Sequence, residues 1–385
     1  MVGAVAARTG NEMSGPALLL MGLAMTGSPV VASWLMAGLT ASAAVGGPLL
    51  GALLDRAERP GRIVGRCLLG YTAGLLAVLL GLGRVPDAAL VAVAAVAGLL
   101  GPALTGGWTA QLPLVVPPER LERANALDAI SYNVAGLAGP AAVGLVAAAA
   151  SGQAAMAVSV ALLVAAVPVA WTLPSRSRPT ASVRAGRAAL WRDLAAGFGA
   201  IARNAPLRRA TATSMVSFSG VAMLVVGAPM LGSALTGEAS HGALLLAVTA
   251  GSALAANAAL TRLRGWTTSP DALLVGSTLV LGAAMLVAAA AYATGLPGLA
   301  VLAAVLAGVA EGPQLTALLA VRHREAPPHL RGQIFTTGAS LKITSYAVGS
   351  ALAGPLAAYD VGVALLAGAA LQALAGVAYG LLSRP

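Results

Sequence analysis

Charge is what this chain has least of. Only 9% of its 385 residues are Asp, Glu, Lys or Arg, against 58% hydrophobic ones, and the mean hydropathy is +0.86. A soluble domain carries about 25% charged residues, so a soluble globular protein is excluded. One cysteine, Cys67, excludes an intramolecular disulfide, and three scattered histidines offer no metal-ligand spacing. No G-x-x-x-x-G-K-[ST] loop is present, which excludes a nucleotide-driven pump carried by this chain alone. His, Cys and carboxylates nowhere gather at catalytic spacing, so neither catalytic residues, a metal nor a cofactor is expected. The N-terminus lacks a short charged-then-apolar leader with a cleavage site, so the first apolar run is expected to be retained.

What is there is a series of apolar runs of about 20 residues, long enough to cross a bilayer as helices. Barrel strands would instead alternate over segments of roughly 10 residues. Gly (47) and Pro (22) are frequent inside the runs, as suits membrane helices. The pattern predicts an all-α membrane protein of 12 transmembrane helices in two six-helix halves. The spans fall near 4–26, 30–54, 63–83, 88–112, 125–148 and 153–173, then 207–231, 240–261, 271–294, 297–321, 333–357 and 360–381. The expected domains are residues 1–173, a cytoplasmic linker over 174–206, and residues 207–385.

Charge placement sets the orientation. With both termini cytoplasmic, Arg84 alone of the 23 Lys and Arg falls in an external loop, while Arg8 and Lys342 lie inside spans. The net charge of +10 is therefore topological, and nucleic acid is excluded as a partner. Within the linker, PSRSRPTAS is turn-rich, and AGRAALWRDLAAGFGAIARN is amphipathic, with Leu190, Leu194, Phe198 and Ile201 at helical spacing. An interfacial helix on the cytoplasmic leaflet is expected there, a partner-protein site being the alternative.

The halves repeat. LGPALT (100–105) matches EGPQLT (311–316), and Pro117-Pro118, Gly139 and Gly144 correspond to Pro327-Pro328, Gly349 and Gly354. Spans 4 and 5 thus match spans 10 and 11 in the same orientation, a parallel repeat about an axis along the membrane normal.

After span 2 the sequence reads GALLDRAERPGR, with Gly51, Asp55, Arg56 and Arg59 at the spacing of a gating loop. Here it resembles the major facilitator superfamily, whose hallmark loop is G-x-L-x-D-R-x-G-R-R; Glu58 stands where the second Gly is expected. Span 5 carries AGLAGPAAVG, and Gly139, Pro140 and Gly144 resemble the fifth-helix motif of drug–proton antiporters, although Ala135 and Val143 replace two of its glycines. A bend at a moving interface and plain helix packing both fit. LPLVVPPERLERANAL resembles the 4–5 loop of macrolide and siderophore exporters. The arginine that many proton-coupled exporters carry in span 4 is missing; Thr105, Trp108 and Thr109 share a face there instead. These three are cavity candidates, with Trp108 as an interfacial anchor the alternative.

The intramembrane charges are the strongest lead. Glu12 (span 1), Glu311 (span 10) and Lys342 (span 11) sit within about 5 Å of one another in depth at 1.5 Å per residue. A charge at the bilayer centre costs at least about 2.5 kcal/mol on insertion scales, so these groups should face water or one another. Glu311–Lys342 is the natural pair, Arg8 offers Glu12 an i, i+4 partner, and Asn11 and Gln314 flank the acids. Asp128 reads as interfacial. The expectation is a secondary transporter that moves a small organic molecule by alternating access, with proton-coupled efflux ahead of import or uniport. Glu12, Asn11, Glu311, Gln314 and Lys342 are the substrate or coupling candidates. A non-transporting membrane sensor is the rival from another class. The resemblance implies a monomer in a bacterial plasma membrane, with the lipid bilayer, a small-molecule substrate and protons as partners.

Overall fold

The computed structural model describes residues 2–175, 187–262, 269–327 and 330–381. The order is α1 (Val2–Thr26), α2 (Pro29–Ala41), α3 (Ala43–Arg56), α4 (Pro60–Gly81), α5 (Asp87–Gly98), α6 (Gly101–Thr109), α7 (Leu112–Val115), α8 (Leu121–Ala149) and α9 (Gly152–Trp171). Then follow α10 (Arg187–Arg203), α11 (Ala205–Thr236), α12 (Ala239–Arg262), α13 (Pro270–Thr294), α14 (Pro297–Glu325), α15 (Arg331–Tyr359) and α16 (Val361–Leu381). No strand occurs among the described residues. All the predicted spans are helical; the second is divided into α2 and α3, the fourth into α5 and α6.

Local chemistry sets the ends. Ser28, Ser151, Asn204 and Ser269 each accept a backbone N–H from three residues on, and all but Ser151 precede a proline in the first turn. Gly237 and Gly295 close α11 and α13 in the left-handed conformation, at φ +80° and +69°. Nine segments are long and apolar enough to cross a membrane among the described residues. They do not include α1, α8 or α15, the helices that carry Arg8 and Glu12, Asp128, and Lys342.

The repeat has a packing counterpart. Gly139 of α8 lies against Glu12 and Met13 of α1, and Gly349 of α15 lies against Ser219 of α11. Gly144 of α8 touches the Ala243 carbonyl of α12, while Gly354 of α15 touches Pro29 and Ser33 of α2. Each corresponding pair therefore contacts corresponding spans, and the second pair exchanges between the first six spans and the last six. A Cβ at any of these sites would overlap the opposing chain, so the absence of a side chain is what permits the approach.

The exchanged contacts lie at one end of the bundle, the end opposite the chain termini. There Leu19, Ala32 and Met36 are buried among Met223, Met230, Ala353 and Ala357, and Trp34 Nε1 donates to the Ala351 carbonyl at 3.2 Å. That end is closed by apolar packing between the two sets of spans.

Helix α10 ends the linker. Ile201 is buried with Leu207, Ala326 and Ile334, whereas Phe198 is 49% exposed. The helix thus docks on α11 and α15 and keeps one aromatic outward. The side chains of Leu190 and Leu194, and residues 176–186, lie outside the described residues.

We expect Gly144→Val, which sets a branched side chain against the Ala243 carbonyl, to pry α8 from α12. Spin-label distances across this end should then lengthen relative to wild type, and unchanged distances would refute the clamp.

Candidate functional site

Helix α8 crosses α1 where Gly139 exposes its backbone, and a Cβ built there would stand 2.6 Å from Glu12 Cβ. Glu12 is thereby held partly buried in the middle of α1. Asn11 Nδ2 reaches Glu12 Oε1 at 3.5 Å. Ser14 Oγ lies 2.6 Å from the Tyr71 hydroxyl and donates to the Asn11 carbonyl at 2.6 Å.

Across the bundle, Lys342 and Tyr346 share one face of α15 at i, i+4 spacing. The Phe218 ring of α11 packs on Tyr346 with centroids 4.8 Å apart, and Lys342 Nζ stands 3.9 Å from the Phe218 centroid. The sequence suggests a Glu311–Lys342 ion pair, but among the described residues none forms. The ammonium rests on an aromatic face instead, a contact worth about 0.5–2 kcal/mol. Glu311 remains near enough to act on Lys342 through space. The Tyr346 hydroxyl feels the charge of both Glu311 and Glu12.

Gln314 turns elsewhere. Its Nε2 donates to Ser217 Oγ at 2.9 Å and Thr278 Oγ1 at 2.8 Å. Ser217 Oγ donates in turn to Gln372 Oε1 at 2.6 Å. This buried network ties α11, α13, α14 and α16 together, and it occupies both Gln314 donors.

A second charged site escaped the sequence reading. Arg8 does not serve Glu12. Its guanidinium forks onto Asp128, Nη1 to Oδ1 at 2.8 Å and Nη2 to Oδ2 at 3.0 Å. Nη1 also donates to Ser131 Oγ at 2.6 Å, and Nη2 to Thr109 Oγ1 at 2.9 Å. Thr109 Oγ1 donates to Asp128 Oδ2 at 2.6 Å, and the Thr105 carbonyl accepts from Nη2 at 3.4 Å. Arg8 is 1% exposed and Asp128 6%. Asp128 is thus buried between helices near one end of α8, where Arg8 reaches it from α1. The cluster joins α1, α6 and α8, and it brings to span 4 the guanidinium that span 4 itself lacks. The available signal was spacing: Thr105 and Thr109 at i, i+4, and Asp128 and Ser131 at i, i+3, each mark a polar helix face.

Trp108 is buried between those threonines, and a Cβ on Gly3 of α1 would lie 3.0 Å from its ring. It packs inside the bundle and not at a membrane surface. Pro140 lies within the unbroken α8. Arg59 is exposed between α3 and α4. Gly51, Asp55 and Arg56 fall on α3, and their side chains lie outside the described residues. Among the described residues no group of His, Cys, Asp and Glu could hold a metal ion.

Breaking a buried, hydrogen-bonded ion pair leaves one charge uncompensated, at a cost of about 3–5 kcal/mol. We expect Asp128→Asn to lower stability by about that amount, and Arg8→Met with Asp128→Leu to recover most of it. Thermal denaturation of purified protein in detergent measures both. Equal losses in the single and double variants would contradict the pairing.

The chain was compared with known proteins. The family model of the Major Facilitator Superfamily matches residues 1–354. An uncharacterized MFS-type transporter, y4rN, of Sinorhizobium fredii is 28% identical over 369 residues, covering 92% of this chain and 86% of that one. The nucleoside transporter NupG superimposes with a TM-score of 0.71 at 15% identity, over 100% of this chain and 98% of that one. The xylose transporter XylE from E. coli, in a partially occluded inward open conformation, does so at 0.67 and 12% identity, over 99% of both chains. At such identities the structures speak for the fold alone, which is that of a multi-pass membrane transporter. The match to the family model over nearly the whole chain places this protein in the Major Facilitator Superfamily.

Proposed function

We propose that the protein is a secondary active transporter that exports a small organic molecule in exchange for protons, by alternating access. One arrangement supports the reading: Glu12 and Glu311 lie partly buried on helices of the first and last six spans, and Lys342 packs on Phe218 with no ion pair among the described residues. Two carboxylates on either side of a moving interface can exchange partners when it opens, and an unpaired ionised carboxylate is costly at that depth. Protonation relieves the cost in one state; Lys342 or the substrate relieves it in the other.

The mechanical parts fit this scheme. Residues 1–173 and 207–385 are taken as the two rocking bodies, joined by 174–206. The positive-inside rule supports both termini in the cytoplasm, so that the end joined by Gly144, Gly354 and Trp34 would face outward. The end of α3 that carries Gly51, Asp55 and Arg56 would then lie on the cytoplasmic side, where a gate must close when the outer end opens. A bacterial plasma membrane and a monomer complete the proposal.

The test is proton movement in proteoliposomes challenged with ethidium, erythromycin, uridine, xylose and a dipeptide. Wild type should move protons against at least one of these probes. Glu311→Gln should abolish proton movement while leaving exchange of the same probe across equal concentrations. Lys342→Ala should weaken both. Unchanged coupling in both variants would sink the assigned roles. Uptake that runs down the probe gradient regardless of pH would favour uniport instead.

A further inference from the structure

Beyond the acids lies a second buried cation, Arg322, in the last turns of α14. It is 3% exposed, and among the described residues its Nε and Nη2 have no hydrogen-bond partner. Its guanidinium lies flat on Gly338 of α15, so close that a Cβ on Gly338 would stand 2.6 Å from Arg322 Cζ. Gly338 is four residues from Lys342, about 6 Å along α15. The two cations sense one another through space, and neither has an ion pair among the described residues.

A buried guanidinium with unmet donors is among the more costly arrangements in a protein interior. Natural proteins fill such donors with protein, water or ligand. Among the described residues no acid forms an ion pair with either cation. Gly338 supplies a slot that admits the planar guanidinium, and Phe218 and Tyr346 form an aromatic wall beside Lys342. Planar guanidinium forks match carboxylate and phosphate oxygens.

The geometry points to an anion site formed by Arg322 and Lys342, which receives the carboxylate or phosphate of an organic anion and stacks its apolar part on Phe218 and Tyr346. This rests on the transport reading for its biological meaning, and it narrows the cargo to organic anions. The anion displaces Lys342 from the Phe218 face and completes the Arg322 donors. A phospholipid headgroup offers the same chemistry from the bilayer, so the source must be separated by experiment.

Equilibrium binding of radiolabelled benzoate to the full chain in phosphatidylcholine nanodiscs is the direct test, with benzamide as the uncharged competitor. Benzoate should bind saturably, and benzamide should compete at least about tenfold more weakly, the loss of one charge-assisted contact. Arg322→Gln and Lys342→Gln should each weaken benzoate binding by about the same factor. Because Nε and Nη2 of Arg322 have no protein partner among the described residues, Arg322→Gln should keep or raise the ligand-free melting temperature, which separates lost binding from lost folding. Phosphatidylglycerol in the nanodisc that displaces benzoate from wild type supports the anion site and assigns it to lipid headgroups. Absence of displacement supports it and assigns it to a soluble anion. Benzoate binding no tighter than benzamide, or unaltered in both variants, overturns the proposal. Because binding is read without flux, saturable benzoate binding in a protein that moves no probe would defeat the transport reading and leave the anion site standing.

Discussion

A bilayer interior has no water to offer a peptide group or a charge, and that shortage governs this molecule at every scale. The backbone answers it by forming helices, in which each segment meets its own hydrogen-bonding needs. Side chains have no such internal remedy. Arg8 and Asp128 answer it jointly, with Ser131, Thr109 and the Thr105 carbonyl accepting further guanidinium hydrogen bonds. Gln314, Ser217, Thr278 and Gln372 answer it without charge. Glu12, Glu311, Lys342 and Arg322 form no ion pair among the described residues.

Helix association is subject to the same shortage, since lipid tails compete with apolar side chains and leave close packing as the main attraction. Glycine provides it here, at corresponding sites in each set of spans: Gly98 of α5 abuts the Leu39 carbonyl of α2, and Gly308 of α14 abuts the Thr249 carbonyl of α12. Between sets, α8 packs along α12 and α15 along α2 and α3, with Gly144 and Gly354 as the close approaches at one end.

The helices were legible because hydropathy over a span is a local property, summed along the chain. The repeat was legible because paired prolines and glycines hold their spacing across two spans. The Arg8–Asp128 pair was not, because its partners are 120 residues apart and only the packing of α1 on α8 brings them together. The Glu311–Lys342 expectation failed for a related reason: charge alone names a partner, but Phe218 arrives from a third helix and takes the ammonium first. Depth in the membrane can be counted from sequence; azimuth around the bundle cannot.

The two copies of the Gly-Pro segment differ in one mechanical respect. In α14 the helix runs unbroken through Pro313, whereas the first copy sits at a joint where α5 stops at Gly98 and α6 begins at Gly101. At that joint Leu100 donates to the Ala97 carbonyl at 2.9 Å and Ala103 to the Leu100 carbonyl at 3.0 Å, tightened turns that keep the backbone bonded across the break. Span 10 is accordingly a stiff strut, and span 4 is an articulated one. A force delivered at the end opposite the chain termini would pass straight along the strut yet be absorbed at the articulation. Two bodies that repeat one another in sequence would then differ in compliance, with the Arg8 cluster anchored just beyond the softer elbow.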